Sequence, residues 1–217
     1  MKYGLFAILA LLAIASPAAG AIVITEAMSS SDPGDTGTGT PDWIELTNDG
    51  GAAVVITGYR IDDTTPTFAN SRELLGVASI APGESVIFIE SSPANSATDI
   101  ANFRTFWSGS ATGLTGVQIG SYSGSGIGLS SGGDQVHLFN TTPAIVASVS
   151  FGAATPGASF RFPPSPGVAN VAGQYGAYVS AGALGNVGSP GVNIPEPASA
   201  ALAALASVMF FRRRRSA

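Results

Sequence analysis

The sequence predicts an all-β fold, and three observations carry this prediction. Short apolar or alternating runs rich in Val, Ile and Phe recur along the chain, as they do in strands. Turn formers separate these runs, since the chain holds 28 glycines and 14 prolines. Between the two ends, helical spacing of apolar residues is confined to one short stretch, so no helix-rich second domain is expected.

The first half of this region reads as a series of strands. Residues 22–26 open it as a strand, and residues 29–41 form a polar loop without periodicity. Residues 42–48 alternate, which places Ile44 and Leu46 on one face and Trp43, Glu45 and Thr47 on the other. A tight turn at 48–51 precedes short strands at 54–56 and 59–61.

The middle of the chain predicts a buried strand followed by a helix. Four consecutive apolar residues at 86–89 indicate a strand covered on both faces. Ile100, Phe103 and Trp107 then repeat at helical spacing, and Ser96 and Asp99 resemble a capping box, so we expect a short helix whose aromatic side chains face the core.

Further strands are predicted after a Gly- and Ser-rich stretch. The candidates are a short strand near Val117 and Ile119, then alternating runs at 134–139 and 145–151. Gly, Ala and Pro become more frequent from residue 152 onward. We therefore expect the β domain to span 22–165 and residues 166–193 to form a linker.

The N-terminus has the pattern of a secretory signal peptide. Lys2 gives a positive start, residues 5–15 are apolar, and small residues follow. Ala19 and Ala21 occupy the positions that signal peptidase reads, which predicts a helical signal peptide over 1–21 with cleavage after Ala21.

The C-terminus has three parts in a fixed order. Pro195, Glu196 and Pro197 form a stiff, non-helical segment, because proline lacks a backbone donor and restricts its neighbour. Residues 198–211 are almost wholly apolar, about 21 Å if helical, which is short for a bilayer core of about 30 Å. Four arginines, Arg212, Arg213, Arg214 and Arg215, follow and would hold that end in the cytoplasm.

This tail resembles the PEP-CTERM sorting signal of exopolysaccharide-producing bacteria. The resemblance covers residues 194–217 and implies transient insertion into the inner membrane through the helix at 198–211. It further implies recognition of Pro195, Glu196 and Pro197 by an exosortase, a membrane cysteine transpeptidase-like enzyme. A plain C-terminal membrane anchor with a basic stop-transfer flank is the alternative reading of the same residues.

The central region resembles the lamin-tail domain. Residues 22–26, 42–48 and 56–61 look like its first strands, and residues 80–84, 128–134 and 146–151 look like its later part. The likeness keeps this order from Ile22 to about Arg161. It implies an immunoglobulin-like β-sandwich.

Charge and cysteine content exclude several classes of function. Between Ile22 and Pro197, four arginines stand against fourteen carboxylates, a net charge of −10, which disfavours nucleic acid as a partner. The chain has no cysteine, so disulfides, thiolate metal sites and cysteine nucleophiles are excluded.

A possible nucleophile motif lies at residues 128–132, which match G-x-S-x-G around Ser130. Asp134 and His137, the one histidine, follow within eight residues. A nucleophile elbow needs a strand-turn-helix and triad members from separate loops, whereas this stretch runs into a strand. We expect no catalytic site here and a solvent-facing His137.

Two further carboxylate groupings were considered. Asp42 and Glu45 are three apart on a strand and should point to opposite faces, which is unsuitable for a glycosidase pair. Asp32, Asp35 and Asp42, near Glu26, could offer oxygens to Ca²⁺, although their spacing is not that of an EF-hand. No other cofactor is expected.

These observations predict an exported structural or binding protein of the cell surface or extracellular matrix. Its expected partners are signal peptidase, the inner membrane, an exosortase and extracellular polysaccharide. The alternative is a secreted, calcium-assisted carbohydrate-binding or adhesive module on a plain membrane anchor.

Overall fold

The protein is a two-layer β-sandwich with a third, partial layer over one sheet. The computed structural model describes residues 21–29, 41–110, 113–182 and 185–192. The predicted signal peptide helix and the apolar helix at 198–211 lie outside these residues. The elements in chain order are β1 (Ile22–Met28), β2 (Trp43–Asn48), β3 (Val54–Val55), β4 (Arg60–Asp62), β5 (Arg72–Glu73), β6 (Ser79–Ile80), β7 (Ser85–Glu90), α1 (Ser96–Ser108), β8 (Ile119–Tyr122), β9 (Asp134–Phe139), β10 (Ile145–Phe151), β11 (Phe160–Arg161), β12 (Val168–Ala169), β13 (Tyr178–Val179) and β14 (Val187–Gly188).

Two sheets form the sandwich. The main sheet has six strands in the order β12-β11-β1-β2-β7-β8, and the second has four in the order β10-β9-β4-β5. All pairs are antiparallel except β7 and β8, which run parallel. Two short hairpin-like pairs, β3-β6 and β13-β14, complete the strands.

The core lies between the inner faces of the two sheets. Ile44, Leu46 and Phe88 from the main sheet pack in one cluster with Val136 and Leu138 from the second. Each of these five side chains is fully buried. The prediction that Ile44 and Leu46 share one face is thus confirmed, and this face is the inner one.

The outer face of the main sheet is covered by α1 and by residues that follow β12. Trp43 makes edge-to-face contacts with Phe103 and Trp107, both at 5.8 Å between ring centroids. Ile87 and Ile89 join this second cluster, while Val86 and Phe88 face the first. The prediction that 86–89 is covered on both faces is confirmed, as is the core role of the helix aromatics.

The helix begins where predicted, but its cap differs. Asn95 is the N-cap residue and makes no side-chain capping bond. Ser96 Oγ donates to the Pro93 carbonyl, and Asp99 accepts from Ser91 Oγ at 2.5 Å. The predicted capping box is therefore wrong, because both side chains are engaged by the loop that precedes the helix.

The stretch predicted as a linker is folded over its described residues. β12 extends the main sheet by pairing with β11, and Ser180 N donates to the Asn186 carbonyl. Gly182 N donates to the Phe106 carbonyl, which ties this segment to α1. Short-range composition favoured a linker, whereas the order here comes from contacts with residues far away in sequence.

Candidate functional site

Two buried carboxylates form a polar centre on the outer face of the main sheet. A β-bulge lies between Ile24 and Glu26, where the register of β1 against β2 shifts. Ile24 and Ala27 both belong to the inner core, so the extra residue, Thr25, turns Glu26 to the outer face. Glu26 thereby stands directly opposite Glu45.

The Glu26 carboxylate is fully engaged by residues from the C-terminal part of the chain. Oε1 accepts from Ser159 Oγ at 2.5 Å, Asn170 Nδ2 at 2.9 Å and Ser189 N at 2.8 Å. Oε2 accepts from Ser189 Oγ at 2.6 Å. This one side chain therefore joins β1 to three segments more than 130 residues away.

Glu45 makes a smaller set of hydrogen bonds. Its Oε1 accepts from Thr25 Oγ1 and its Oε2 from Gly191 N, both at 2.6 Å. A chain of hydroxyls continues from Thr25 through Thr47 to Ser85, with oxygen–oxygen distances of 2.9 and 2.6 Å. Together the two glutamates attach residues 189–191 to the sheet.

Burial of two adjacent carboxylates changes their protonation. Desolvation, and then the charge of Glu26, raise the pKa of Glu45 to about 8. Desolvation also raises the pKa of Glu26, against the effect of its four hydrogen bonds. The Tyr178 phenol, desolvated beside the same pair, has its pKa raised to about 12. Near neutral pH the pair therefore holds at least one proton in place of a second charge.

The sequence analysis missed this centre. Glu26 and Glu45 are single polar residues in alternating strands, a pattern that ordinarily marks a solvent-facing side chain. The bulge at Thr25 and the partners at 159–191 leave no local signal, so the sequence alone could not have paired them.

Asp42 belongs to a different part of the molecule from Glu26. It lies one residue before β2, and its carboxylate accepts from Leu129 N. Desolvation and the nearby Glu90 raise the pKa of Asp42 to about 7. The predicted grouping of Asp42 with Glu26 is thus wrong, while Asp32 and Asp35 lie outside the described residues. Asp42 lies two residues from the inward-facing Ile44, whereas Glu45 lies on the outer face, so the two carboxylates are on opposite faces of the sheet, as predicted from their spacing.

The possible nucleophile motif is held by structural hydrogen bonds. Asp134 Oδ2 accepts from Ser130 N at 2.7 Å, which closes the turn before β9. His137 is buried, contrary to the prediction, and its ring nitrogens bond Ser148 Oγ at 2.7 Å and Gln135 Oε1 at 3.1 Å. Desolvation lowers the pKa of His137. The hydrogen bonds of His137 thus go to β9 and β10 residues, and Asp134 accepts from Ser130 N, Gln135 N and Thr64 Oγ1.

Most of the sorting residues cannot be placed. Pro195, Glu196, Pro197, Ala19 and the cluster Arg212–Arg215 lie outside the described residues. Ala21 is described: it is exposed, and its carbonyl accepts from Asp49 N at 3.0 Å. In the described ranges, no helix combines the length and the apolar character that crossing a bilayer requires.

Comparison with known proteins gives one family and one structural neighbour. The neighbour is a DUF4876 family protein from Bacteroides thetaiotaomicron VPI-5482, with 16% identity and a TM-score of 0.32. The likeness covers 56% of this chain and 42% of that one, so the chain spans less than half of its neighbour. No curated protein matches the sequence. The family model of the Lamin Tail Domain matches residues 15–153, well over half of the chain, and the protein therefore belongs to the lamin tail domain family.

Proposed function

We propose that this protein is an exported surface or matrix module, sorted by an exosortase through its C-terminal signal. The lamin tail domain is a non-catalytic, immunoglobulin-like structural fold, which supports a structural or binding role. The order of Pro-Glu-Pro, a short apolar segment and four arginines supports sorting. The leader at 1–21 supports export, with removal by signal peptidase.

The contacts of residues 189–191 with the sandwich support the proposal independently of the tail sequence. Gly191 N is bonded to the buried Glu45 carboxylate, and Ser189 is bonded twice to Glu26. Only Asn193 and Ile194 separate Val192 from Pro195. Cleavage at the motif would therefore leave the whole sandwich intact, with its last contacts only a few residues from the new end.

The proposal is tested by the mass of the C-terminal peptide of protein recovered from the cell envelope. The experiment uses a bacterial host with its exosortase present or deleted. We expect a terminus at or near residues 195–197 when the enzyme is present and an uncut tail when it is absent. Pro195→Ala combined with Pro197→Ala should block cutting, whereas Pro82→Ala, in an exposed turn, is the matched control.

Two results would contradict the proposal at different points. A tail that is intact to Ala217 in the envelope, with exosortase present, would leave a plain membrane anchor. Full-length protein in the cytosol with its leader attached would refute export itself.

A further inference from the structure

Four oxygen-bearing side chains form a row across one end of the main sheet. Asp42 and Glu90 are the next residues beyond the paired Trp43 and Ile89, and Glu90 N donates to the Asp42 carbonyl at 2.7 Å. Glu90 is in turn paired with Tyr122 of β8. On the other side, Ser29 is one step beyond the paired Met28 and Trp43. The row Ser29–Asp42–Glu90–Tyr122 thus crosses four neighbouring strands.

The four side chains project from the same face of the sheet. Side chains two residues apart on a strand share a face, and Ala27, Ile44 and Phe88 all lie in the inner core. Ser29, Asp42 and Glu90 are each two residues further along. Tyr122 itself belongs to that core. The row therefore lies at the rim of the sandwich, where Ser29 and Tyr122 are buried while Asp42 and Glu90 remain partly exposed.

The two carboxylates of this row repel each other without a compensating positive charge beside them. Glu90 and, more weakly, Asp134 disfavour the ionised form of Asp42. The four arginines of the described ranges donate instead to oxygens elsewhere, namely those of Ser71, Ser125, Gly113, Leu114, Val117 and Pro163. A positively charged ligand would convert this repulsion into attraction.

The two hydroxyls give an independent sign that a ligand belongs here. Tyr122 is 1% exposed and Ser29 is 6% exposed, yet neither hydroxyl has a hydrogen-bond partner among the described residues. The charges of Asp42 and Glu90 both raise the pKa of the Tyr122 phenol further, after desolvation, so the phenol lies within the electrostatic range of both carboxylates. Buried polar groups without partners are uncommon in native proteins, because an unmade hydrogen bond costs stability.

A glycine keeps room for the Glu90 carboxylate at this end of the sheet. A Cβ added to Gly124 would lie 1.7 Å from Glu90 Oε1. The carboxylate therefore lies directly against the Gly124 backbone, two residues beyond Tyr122.

We propose that this row binds a hard divalent cation, Ca²⁺, anchored by the Asp42 and Glu90 carboxylates. The Ser29 and Tyr122 hydroxyls would supply further oxygen ligands. In the described part of the chain, no three His, Cys, Asp or Glu side chains converge as metal ligands, so backbone carbonyls and water must complete the six to eight oxygens that Ca²⁺ takes. Two carboxylates correspond to a weak site, with a dissociation constant on the order of 0.1–1 mM, as in extracellular modules.

The test is calcium-dependent thermal stability of the full chain in mild detergent, with CaCl₂ and MgCl₂ titrated separately into chelator-treated protein. We expect the Tm to rise by several degrees as Ca²⁺ passes through about 1 mM. Terbium luminescence excited through tyrosine gives a second readout, because Tyr122 would lie beside the ion.

Variants of the row should affect the response to calcium more than folding. Asp42→Asn and Glu90→Gln are each expected to abolish the Tm rise, and Tyr122→Phe to weaken calcium binding several-fold. Glu73→Gln removes an exposed carboxylate of β5 and should respond as the wild type does.

The proposal fails if Ca²⁺ leaves the wild-type Tm unchanged up to about 10 mM. It also fails if Asp42→Asn and Glu90→Gln respond like the wild type and Glu73→Gln, since binding would then lie elsewhere. These readouts are independent of cleavage at residues 195–197, so failure of sorting and failure of calcium binding are distinguishable.

Discussion

Two pairs of acidic residues lie on opposite faces of the same sheet, and they are treated differently by the fold. Glu26 and Glu45 on the outer face receive hydrogen bonds from several other parts of the chain. Asp42 and Glu90 on the inner rim stand between two buried hydroxyls that have no partner in the described ranges. The first pair is a structural joint completed by the protein itself, whereas the second has the composition of a site completed from outside.

The difference between the two pairs also explains how a domain with a large negative net charge can bury carboxylates. Burying a carboxylate destabilises the fold unless the group is hydrogen-bonded or protonated. In the outer pair, both glutamates accept hydrogen bonds, and the pair also holds at least one proton near neutral pH. The rim pair is only partly buried, so water or an ion can reach it.

Glu26→Ala should cause the largest loss of stability. It removes the acceptor of both the Ser189 amide and the Ser189 hydroxyl, and one of the two acceptors of Asn170 Nδ2. It also opens a cavity between β1 and the residues that follow β10. We expect a loss of about 3–5 kcal/mol in the free energy of unfolding. Urea denaturation measures it, with Glu90→Ala as the matched rim variant, and equal losses for the two variants would contradict the distinction drawn here.

Gly188→Ala should be the next most disruptive change. A Cβ there would lie 2.8 Å from both Glu26 Oε1 and the Trp107 ring and 2.9 Å from Ser159 Oγ. These atoms belong to packed, hydrogen-bonded groups that cannot all move away, so we expect a loss of about 1–3 kcal/mol. Thermal denaturation measures the loss. A wild-type Tm would show that β14 packs less closely on the joint than described.

The pH dependence of stability should report the protonated state of the outer pair. The pKa of Glu45 is about 8 in the folded protein and near 4.5 when unfolded, so the unfolded chain binds fewer protons between these values. Stability is therefore full below about pH 4.5 and declines as the pH rises through about 8, by at most about 1.4 kcal/mol per pH unit for one group.

Glu45→Gln should flatten this decline, because glutamine does not titrate. The measurement is the urea midpoint at several pH values between 5 and 8, with CaCl₂ held at zero. Asp42→Asn is the rim control, and it should leave unchanged the contribution of Glu45 to the slope of stability against pH. A slope unchanged in Glu45→Gln would refute the assignment of the proton to this pair.

The two pairs also mark what the sequence could and could not predict. The faces of β2, the two-sided burial of β7 and the helix at Ser96–Ser108 follow from local periodicity, and all three are confirmed. The joint formed by Glu26 and Glu45 depends on a one-residue bulge and on partners from residues 159–191. Neither feature can be predicted from the periodicity of the sequence. For the same reason, the sequence predicts a linker at residues 166–193, although the described part of this segment packs on the sheet.

The rim row was partly accessible to sequence reasoning. The sequence indicates Asp42 as a possible calcium ligand because it lies close to Asp32 and Asp35 along the chain. It does not indicate Glu90 and Tyr122, because their adjacency depends on the parallel pairing of β7 with β8 across a 13-residue helix. Ser29 has no distinguishing pattern of its own, and only the strand register places it in the row.

Gly124→Ala should have the smallest effect on folding, and its effect on the calcium response should still distinguish the rim pair from the outer pair. The three atoms nearest to the new Cβ all belong to the Glu90 side chain, which is partly exposed and can rotate away. We therefore expect the Tm without calcium to stay within a few degrees of wild type, corresponding to a loss of under about 1 kcal/mol.

The calcium-dependent rise in Tm should nevertheless disappear, since Glu90 would no longer face Asp42 and Tyr122. Gly128→Ala, where an added Cβ meets no atom within 4 Å, is the matched control and should keep the rise. A calcium response that survives in Gly124→Ala would mean that Glu90 is not a ligand and that the rim pair, like the outer one, is completed by the chain alone.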